Sequence, residues 1–165
     1  MNVRPAVHND VPALEANLAA GFETYREFAP QNWVPPKIRM SELFQSEGTR
    51  CWVGEVNGGV VAHVLYGRAM SSRYTDAKPI PGMAHLQQLF VRQAFWGTGL
   101  ATDLLAAAVA GMEEDGYGQA RLFTPAQQAR ARRFYSREGW TLAAEPRHEP
   151  GLGLGVVELR RWIGE

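Results

Sequence analysis

The chain has 165 residues, of which 45% are hydrophobic and 21% charged, as expected for one soluble globular domain over residues 1–165. Basic and acidic residues number 17 each, so net charge gives no argument for nucleic acid or a membrane surface as a partner. Cys51 is the single cysteine, which excludes a disulfide framework and a cysteine metal cluster. With no signal-peptide core and no apolar run near the roughly 20 residues of a membrane span, we expect a cytoplasmic protein.

The first half of the chain predicts a strand, a helix and a β-hairpin. Asn9 and Asp10 can cap a helix that has Pro12 in its first turn, and apolar residues follow at helical spacing. Residues 57–59, Asn-Gly-Gly, are a strong hairpin signal between two β-rich runs. The predicted elements are strand 2–7, a helix from 11 to about 21, broken helix and loop 22–36, a helical turn at 41–45, strands 51–56 and 60–66, and a polar loop at 68–82.

The second half predicts a mixed α/β arrangement rather than a doubly wound parallel sheet. Thr124-Pro125-Ala126-Gln127 has the form of a capping box with proline at the first helical position. The predicted elements are strand 83–91, a glycine turn, a helix from about 98 to 115, strand 120–123, a helix from 124 to about 138, and strands 140–143 and 155–162.

The glycine turn is the stretch with the clearest chemical meaning. An apolar strand enters a turn that carries Gly97 and Gly99, and a helix follows. The first N–H groups of a helix have no partner within it, and the helix dipole adds partial positive charge, so this arrangement predicts a phosphate site. The nucleotide P-loop pattern fails for lack of its lysine, and the dinucleotide fingerprint is only half met, because Thr102 occupies its third glycine position.

Residues 96–101, Trp-Gly-Thr-Gly-Leu-Ala, resemble the Gln/Arg-x-x-Gly-x-Gly/Ala signature of the GNAT N-acetyltransferase superfamily. Trp96 departs from the usual first residue of that signature. A second motif at 131–140, with Phe134-Tyr135 and Gly139-Trp140, resembles the family's Ala-x-x-Phe-Tyr-x-x-x-Gly-Phe/Trp helix. Residues 3–14 and 86–91 resemble its opening strand and helix and its fourth strand, so the resemblance covers nearly the whole chain.

This resemblance implies an α/β (α+β) GNAT acyl-CoA N-acyltransferase fold, with a mixed central sheet of about six to seven strands flanked by helices. It implies an acetyl-CoA-dependent N-acetyltransferase that moves an acetyl group to a primary amine by direct transfer in a ternary complex. The acceptor, a small molecule or a peptide, is not identified. Homodimers are common in the family, and neither nucleic acid nor a membrane is an implied partner. No set of residues has metal-ligand spacing, so no metal is expected.

The resemblance also assigns the cofactor contacts. The turn would bind the pyrophosphate, the backbone of the fourth strand would pair with the pantetheine arm, and Gln128 stands where the family often has an asparagine. The side chains of Arg130, Arg133 and Arg137 share one helix face and either meet the 3′-phosphate or are solvated. The residues expected to bind acetyl-CoA are Leu89, Phe90, Val91, Trp96, Gly97, Thr98, Gly99, Leu100, Ala101, Thr102, Gln128 and Ala131.

Two residues are predicted to be catalytic. Tyr135 matches the family's general acid, and a phenol with an ordinary pKa of about 10 is protonated at neutral pH. His85 occupies the position of the family's frequent glutamate base, and an imidazole titrates near neutrality. Strand alternation predicts Gln87 and Leu89 on the same face as His85. Each residue also has a purely structural interpretation: Tyr135 as a core tyrosine, and His85 as a histidine hydrogen-bonded to a loop.

Two other functions remain open from the sequence. A non-catalytic acyl-CoA sensor on the same fold would have no need of the Tyr135 phenol. A dinucleotide-dependent oxidoreductase would require affinity for NAD. Cys51 as an acetyl carrier and Glu55 as an acceptor-site carboxylate are weaker candidates.

Overall fold

The computed structural model describes residues 1–164 and contains, over those residues, seven strands and four α-helices in the predicted order. Short 3₁₀ turns lie at His8–Asp10, Tyr25–Glu27 and Gln93–Phe95. The elements are β1 (Asn2–Pro5), α1 (Val11–Thr24), α2 (Met40–Gln45), β2 (Arg50–Val56), β3 (Gly59–Met70), β4 (Pro79–Val91), α3 (Leu100–Glu114), β5 (Gln119–Pro125), α4 (Ala129–Arg137), β6 (Thr141–Glu149) and β7 (Leu154–Trp162).

The seven strands form one mixed sheet in the order β1-β2-β3-β4-β5-β7-β6. Only β4 and β5 are parallel, and the other neighbours are antiparallel. The apolar residues of α3 recur at helical spacing, and this stripe is buried on one face of the sheet together with Tyr135 of α4. The stripe consists of Leu100, Leu104, Leu105, Ala108 and Met112. The apolar residues of α1 and Met40 of α2 are buried on the other face. The predicted α+β fold is therefore confirmed.

The predicted capping box at residues 124–127 is wrong, because Thr124 and Pro125 are the last two residues of β5 and α4 begins at Ala129. Thr124 and Pro125 pair with Val157 and Val156 of β7. The next N–H, that of Ala126, also donates to β7, at the Gly155 carbonyl. Because successive residues of a strand direct their backbone groups to opposite edges, the nitrogen of Pro125 points to the other edge of β5. No strand in the described residues pairs with that edge there, so the missing N–H of proline costs nothing.

The predicted loops are shorter than expected because the strands extend into them. β3 continues to Met70 and β4 starts at Pro79, so the polar loop predicted at 68–82 covers only 71–78. β6 runs to Glu149, and four residues join it to β7. The broken segment at 22–36 begins as the last turn of α1 and becomes irregular after Glu27. None of the helices in residues 1–164 is long and apolar enough to cross a membrane.

The two parallel strands β4 and β5 separate along their length. They pair over Met83–Leu86 and Gln119–Leu122, and the pairing ends there. Beyond that point β4 continues to Val91 with β3 on one side only. The unpaired edge of β4 forms one wall of a cleft that opens between the two strands.

A β-bulge in β4 lies where this separation starts. Leu86 pairs with Tyr66, and Gln88 pairs with Leu65, the next residue along β3, so Gln87 is the extra residue. The prediction that Gln87 and Leu89 share a face with His85 is wrong for Leu89, which packs against the core under α3. The Gln87 amide stays on the face of His85, because its Nε2 lies 3.0 Å from a Cβ built on Gly67, the residue that pairs with His85. Gln88 lies on that face as well, where it meets the buried His63.

Candidate active site

A cleft of about 860 Å³ lies between the separated ends of β4 and β5 and is closed by α1, the glycine turn and α4. Most of the residues predicted to bind the cofactor line it. The predicted residues that line the cleft are Leu89, Phe90, Val91, Trp96, Gly97, Gly99, Leu100, Ala101, Thr102, Gln128, Ala131 and Tyr135. Thr98 and His85 are not among its lining residues.

The glycine turn leaves its backbone donors available at the floor of the cleft. Gly97 and Gly99 have φ values of 78° and 89°, in the left-handed region that favours glycine. Gly99 caps α3 without a side-chain hydrogen bond, and the first bond of the helix is Asp103 N–H to the Gly99 carbonyl. The N–H groups of Leu100, Ala101 and Thr102 therefore have no acceptor within the helix and point toward one place.

Trp96, which departs from the family signature, holds the turn against the end of β4. Its indole N–H donates to the Val91 carbonyl at 2.8 Å. On its face lies the guanidinium of Arg130, with 4.5 Å between the Arg130 Cζ and the ring centre. Trp96 thus joins β4, the turn and α4 around the cleft, and its indole N–H is used within the protein.

The edge of β4 that faces the cleft presents the backbone groups of Leu89 and Val91. Arg92 N–H donates to the Val61 carbonyl of β3. Since successive residues of a strand direct their backbone groups to opposite edges, those of Leu89 and Val91 point away from β3 and into the cleft. This is the arrangement an extended chain needs in order to pair with an unpaired strand edge.

Tyr135 lies on α4 with its ring buried between Phe134 and Trp140, at centroid distances of 5.2 and 6.0 Å. Burial raises the pKa of its phenol above the usual value, and the nearby Tyr25 adds to the shift. Because an acid with a raised pKa keeps its proton, this group is a phenol at every pH near neutrality. It is thus in the protonation state that a proton donor requires.

His85 does not have the properties of a general base. Burial lowers its pKa to about 3, and the neighbouring Arg121 contributes to the shift. The Arg121 Nε–H donates to His85 Nδ1 over 3.3 Å. In a neutral imidazole whose Nδ1 accepts, the proton sits on Nε2, so neither ring nitrogen is left to take a proton. The ring packs against Phe123, with 5.1 Å between centroids.

Three arginines of α4 line the cleft, Arg130, Arg133 and Arg137. They sit on the helix that carries Tyr135, and Arg130 lies against Trp96 beside the glycine turn. Gln128, the residue before α4, is held near β5 by Thr124, whose hydroxyl donates to Gln128 Oε1 at 3.4 Å. Of the two alternatives open from the sequence, a solvated face or a phosphate contact, the position on the cleft favours the second.

A chain of buried polar side chains supports β4 from behind. The His63 Nε2–H donates to Gln88 Oε1 at 2.8 Å, and His63 Nδ1 accepts from Asn17 Nδ2 at 3.4 Å. Asn17 Oδ1 in turn accepts from Arg92 Nε at 2.8 Å. Each amide orientation is fixed by its neighbour, so this chain ties α1 and β3 to the strand that walls the cleft. Burial lowers the pKa of His63 to about 4.

We expect the free energy of unfolding to fall as the pH drops from 6.5 toward 4. In this range the unfolded chain protonates His63 and His85 and the folded chain leaves both neutral, so stability is lost with decreasing pH. For His63 the difference between 6.5 and about 4 corresponds to roughly 3 kcal/mol, and His85 contributes a separate loss over the same range. Urea unfolding at pH 7 and 4.5 measures the loss. His63→Gln should reduce it, whereas the control His8→Gln, at an exposed histidine, should not; an equal loss in all three proteins would contradict the assignment.

Some residues of the cleft were not singled out as site residues from the sequence. Tyr25, Glu27 and Phe28 reach it from the end of α1 and the following turn, and Phe123 and Gln127 reach it from β5 and the loop after it. The aromatic residues at 22–36 divide between the core and the cleft. Phe22 and Trp33 are buried in the core, whereas Tyr25, also largely buried, lines the cleft.

Comparison with known proteins points to one family. A model described as the acetyltransferase (GNAT) family matches residues 18–140. An acetyltransferase of the GNAT family from Staphylococcus aureus Mu50 has a TM-score of 0.77 at 15% identity, with 99% of each chain covered. Ribosomal-protein-alanine N-acetyltransferase from Brucella melitensis has a TM-score of 0.74 at 18% identity, covering 99% of this chain and all of that one. PaiA N-acetyltransferase from Thermoplasma acidophilum, solved with coenzyme A, has a TM-score of 0.70 at 13% identity, covering 98% of each chain.

The separated parallel strands, the glycine turn and the flanking helices are thus the fold of known acetyltransferases. A search of curated proteins gave no match. Because the family model spans most of the sequence, this chain belongs to the GNAT acetyltransferase family.

Proposed function

We propose that this protein transfers the acetyl group of acetyl-CoA to a primary amine by direct attack within a ternary complex. The observation that carries the proposal is the cleft, because it places three kinds of group around one elongated space. The unpaired N–H groups at the start of α3 lie at one part of it, the backbone edge of β4 runs along it, and Tyr135 lines it.

The residues fit acetyl-CoA by charge and by shape. The N–H groups of residues 100–102 and the helix dipole suit the pyrophosphate, with the α4 arginines that line the cleft as further phosphate partners. The edge of β4 at Leu89 and Val91 suits the amide-containing pantetheine arm. Nothing in residues 1–164 lies within 4 Å of a Cβ built on Gly97 or Gly99, so the space above the turn is open for the ligand.

In the proposed reaction an amine nitrogen attacks the thioester carbonyl carbon, the C–S bond breaks, and the sulfur leaves with the electron pair. Tyr135 would donate its phenolic proton to that sulfur, and the proton that the nitrogen releases as the amide forms would return the tyrosine to its phenol form. Backbone N–H groups of β4 would stabilise the negative charge that develops on the carbonyl oxygen. Gln87, extra in the bulge, lines the cleft at the point where β4 and β5 separate, and the amine would approach there.

The acceptor ammonium must lose a proton before it attacks, and the position of His85 makes it a poor recipient. Glu27, a carboxylate that lines the cleft near the end of α1, is exposed to water. We therefore replace the prediction for His85 with a proposal that the proton leaves to solvent past Glu27. An acid limb near pH 6.5 in kcat/KM that His85→Asn removes would restore the original assignment.

An acetylated cysteine has no place in this scheme. Cys51 is buried in the core formed with α1 and α2 and is not among the cleft residues. Burial raises the pKa of its thiol to about 12, and the nearby Asp10 adds to the shift. A thiol that stays protonated and out of reach is not a nucleophile at neutral pH, which supports direct transfer.

The first test compares thermal unfolding with acetyl-CoA, propionyl-CoA, free CoA, NAD and ATP. A ligand at 100 times its dissociation constant stabilises the folded state by about 2.7 kcal/mol, which gives a clear rise in Tm. We expect stabilisation by the CoA compounds only. Release of free thiol from acetyl-CoA in the presence of amines then reports transfer. Stabilisation by NAD alone, or by none of the five, would contradict the proposal.

A further inference from the structure

The strands beside the cleft carry an arginine whose charge has no partner. Alternation buries Ala120 and Leu122 of β5 against the core under α3, so Arg121 and Phe123 lie on the opposite face of the sheet. Arg121 is half-buried and sits directly across from Arg160 of β7. Like charges in such a cross-strand pair repel each other.

No carboxylate of residues 1–164 forms a salt bridge with Arg121. Its Nη2 donates to the Met70 carbonyl at 2.9 Å, and its Nε donates to His85. The nearest acidic influence is Glu158, but the Glu158 carboxylate accepts from Arg160 Nε at 2.6 Å. Burial lowers the pKa of Arg121, and Arg160 and Arg147 lower it further. A half-buried cation in this state has a strong tendency to bind an anion.

Phe123 connects this cation to the cleft. Its ring lines the cleft, and it also lies between two guanidinium groups, with the Cζ atoms of Arg121 and Arg147 at 5.0 and 4.7 Å from the ring centre. Arg147 is engaged by Glu149 at 2.9 Å, so Arg121 is the one left without a counter-charge among the described residues. Arg121 itself does not line the cleft, so an anion bound to it would lie beside the Phe123 ring that does.

We propose that the acceptor carries a carboxylate as well as its amine, and that Arg121 binds this carboxylate while Phe123 packs against the acceptor's carbon chain. This proposal rests on the proposed acetyl transfer. A guanidinium has five N–H donors in a planar fork, and two of those of Arg121 are used within the protein. The remaining donors suit a carboxylate, which arginine binds with charge-assisted hydrogen bonds. The acceptor is accordingly a short amino-acid-like molecule rather than a polyamine.

The bonds to Met70 and His85 also give Arg121 a structural role, so the test must separate the two. Acceptors are offered in matched pairs, each of the L-amino acids beside its amide, and thiol release from acetyl-CoA is measured. Thiol release is measured at neutral pH, where the less basic amine of the amide is the more deprotonated of the two, so a preference for the free acid cannot come from a larger share of reactive amine. We expect kcat/KM to be 10- to 100-fold higher for the acids, the size of a charge-assisted hydrogen-bond pair.

Arg121→Gln should raise KM for the preferred acid by a similar factor with little change in kcat, and it should remove the discrimination against the amide. Arg121→Lys should restore part of the preference for the acid over the amide. Arg161→Gln, which removes an arginine from the neighbouring position of β7, is the control. The rise in Tm with acetyl-CoA is recorded on every variant, which shows whether the cleft is intact.

The carboxylate assignment would be overturned by any of three results. These are equal use of acids and amides, no turnover of any amino acid despite acetyl-CoA binding, and an Arg121→Gln variant that keeps the preference for the acid. If the wild type did not bind acetyl-CoA, the proposed function itself would be overturned.

Discussion

Gly99→Asp should abolish acetyl-CoA binding and leave a folded protein. Gly99 is the cap residue of α3 and lines the cleft, so an aspartate there would add a carboxylate beside the first N–H groups of the helix. Those N–H groups are the ones proposed to bind the pyrophosphate. The new carboxylate would compete for them and would also repel the phosphates. Acetyl-CoA should then give no rise in Tm and no thiol release.

The matched control for this variant lies at the other end of the same helix. Gly116 has a φ of 85°, close to the 89° of Gly99, and neither has any atom within 4 Å of a built Cβ. Gly99→Ala and Gly116→Ala should each cost about 1–2 kcal/mol from the left-handed backbone alone. Only the variant at 99 should also weaken acetyl-CoA binding, because Gly99 lines the cleft and Gly116 does not. Equal binding by all three variants would show that the turn is not the phosphate site.

The parts of the fold that were predictable from sequence are those set by local chemistry. The α3 stripe, the hairpin at 57–59 and the strand entering the glycine turn each follow from periodicity or turn residues, and all are present. Thr124-Pro125 shows the limit of this reasoning. It has the local pattern of a helix start, but pairing with β7 keeps both residues in a strand. Tertiary pairing outweighs local preference there.

In the site, too, features set by local motifs were predictable and features set by tertiary pairing were not. The turn and Tyr135 lie within short motifs, so their positions follow from the chain itself. The bulge at Gln87 depends on how β4 pairs with β3, which no local pattern reveals. His85 was assigned on the basis of its position in the strand and its ordinary pKa. Its burial and the guanidinium of Arg121, 36 residues further along the chain, are what change that pKa.

Tyr135→Phe should lower kcat by about 10²- to 10⁴-fold, the usual contribution of a general acid. The change removes one oxygen and keeps the ring that packs between Phe134 and Trp140, so the cleft should retain its shape. Affinity for acetyl-CoA should therefore stay close to that of the wild type, as expected when an interaction made only in the transition state is lost. Thermal shift with acetyl-CoA and steady-state thiol release measure the two quantities on the same sample.

The pH profile and a second tyrosine make this test specific. Because burial raises the pKa of Tyr135, the wild type should keep its turnover to pH 10 with no loss from ionisation of the phenol. Tyr117→Phe removes a hydroxyl from a tyrosine that packs against Tyr66 outside the cleft, and it should leave kcat unchanged. If Tyr135→Phe turned over as fast as the wild type across the pH range, the phenol would not be the acid. If the wild type bound acetyl-CoA and released no thiol with any amine, the chain would instead be an acyl-CoA sensor built on an acetyltransferase fold.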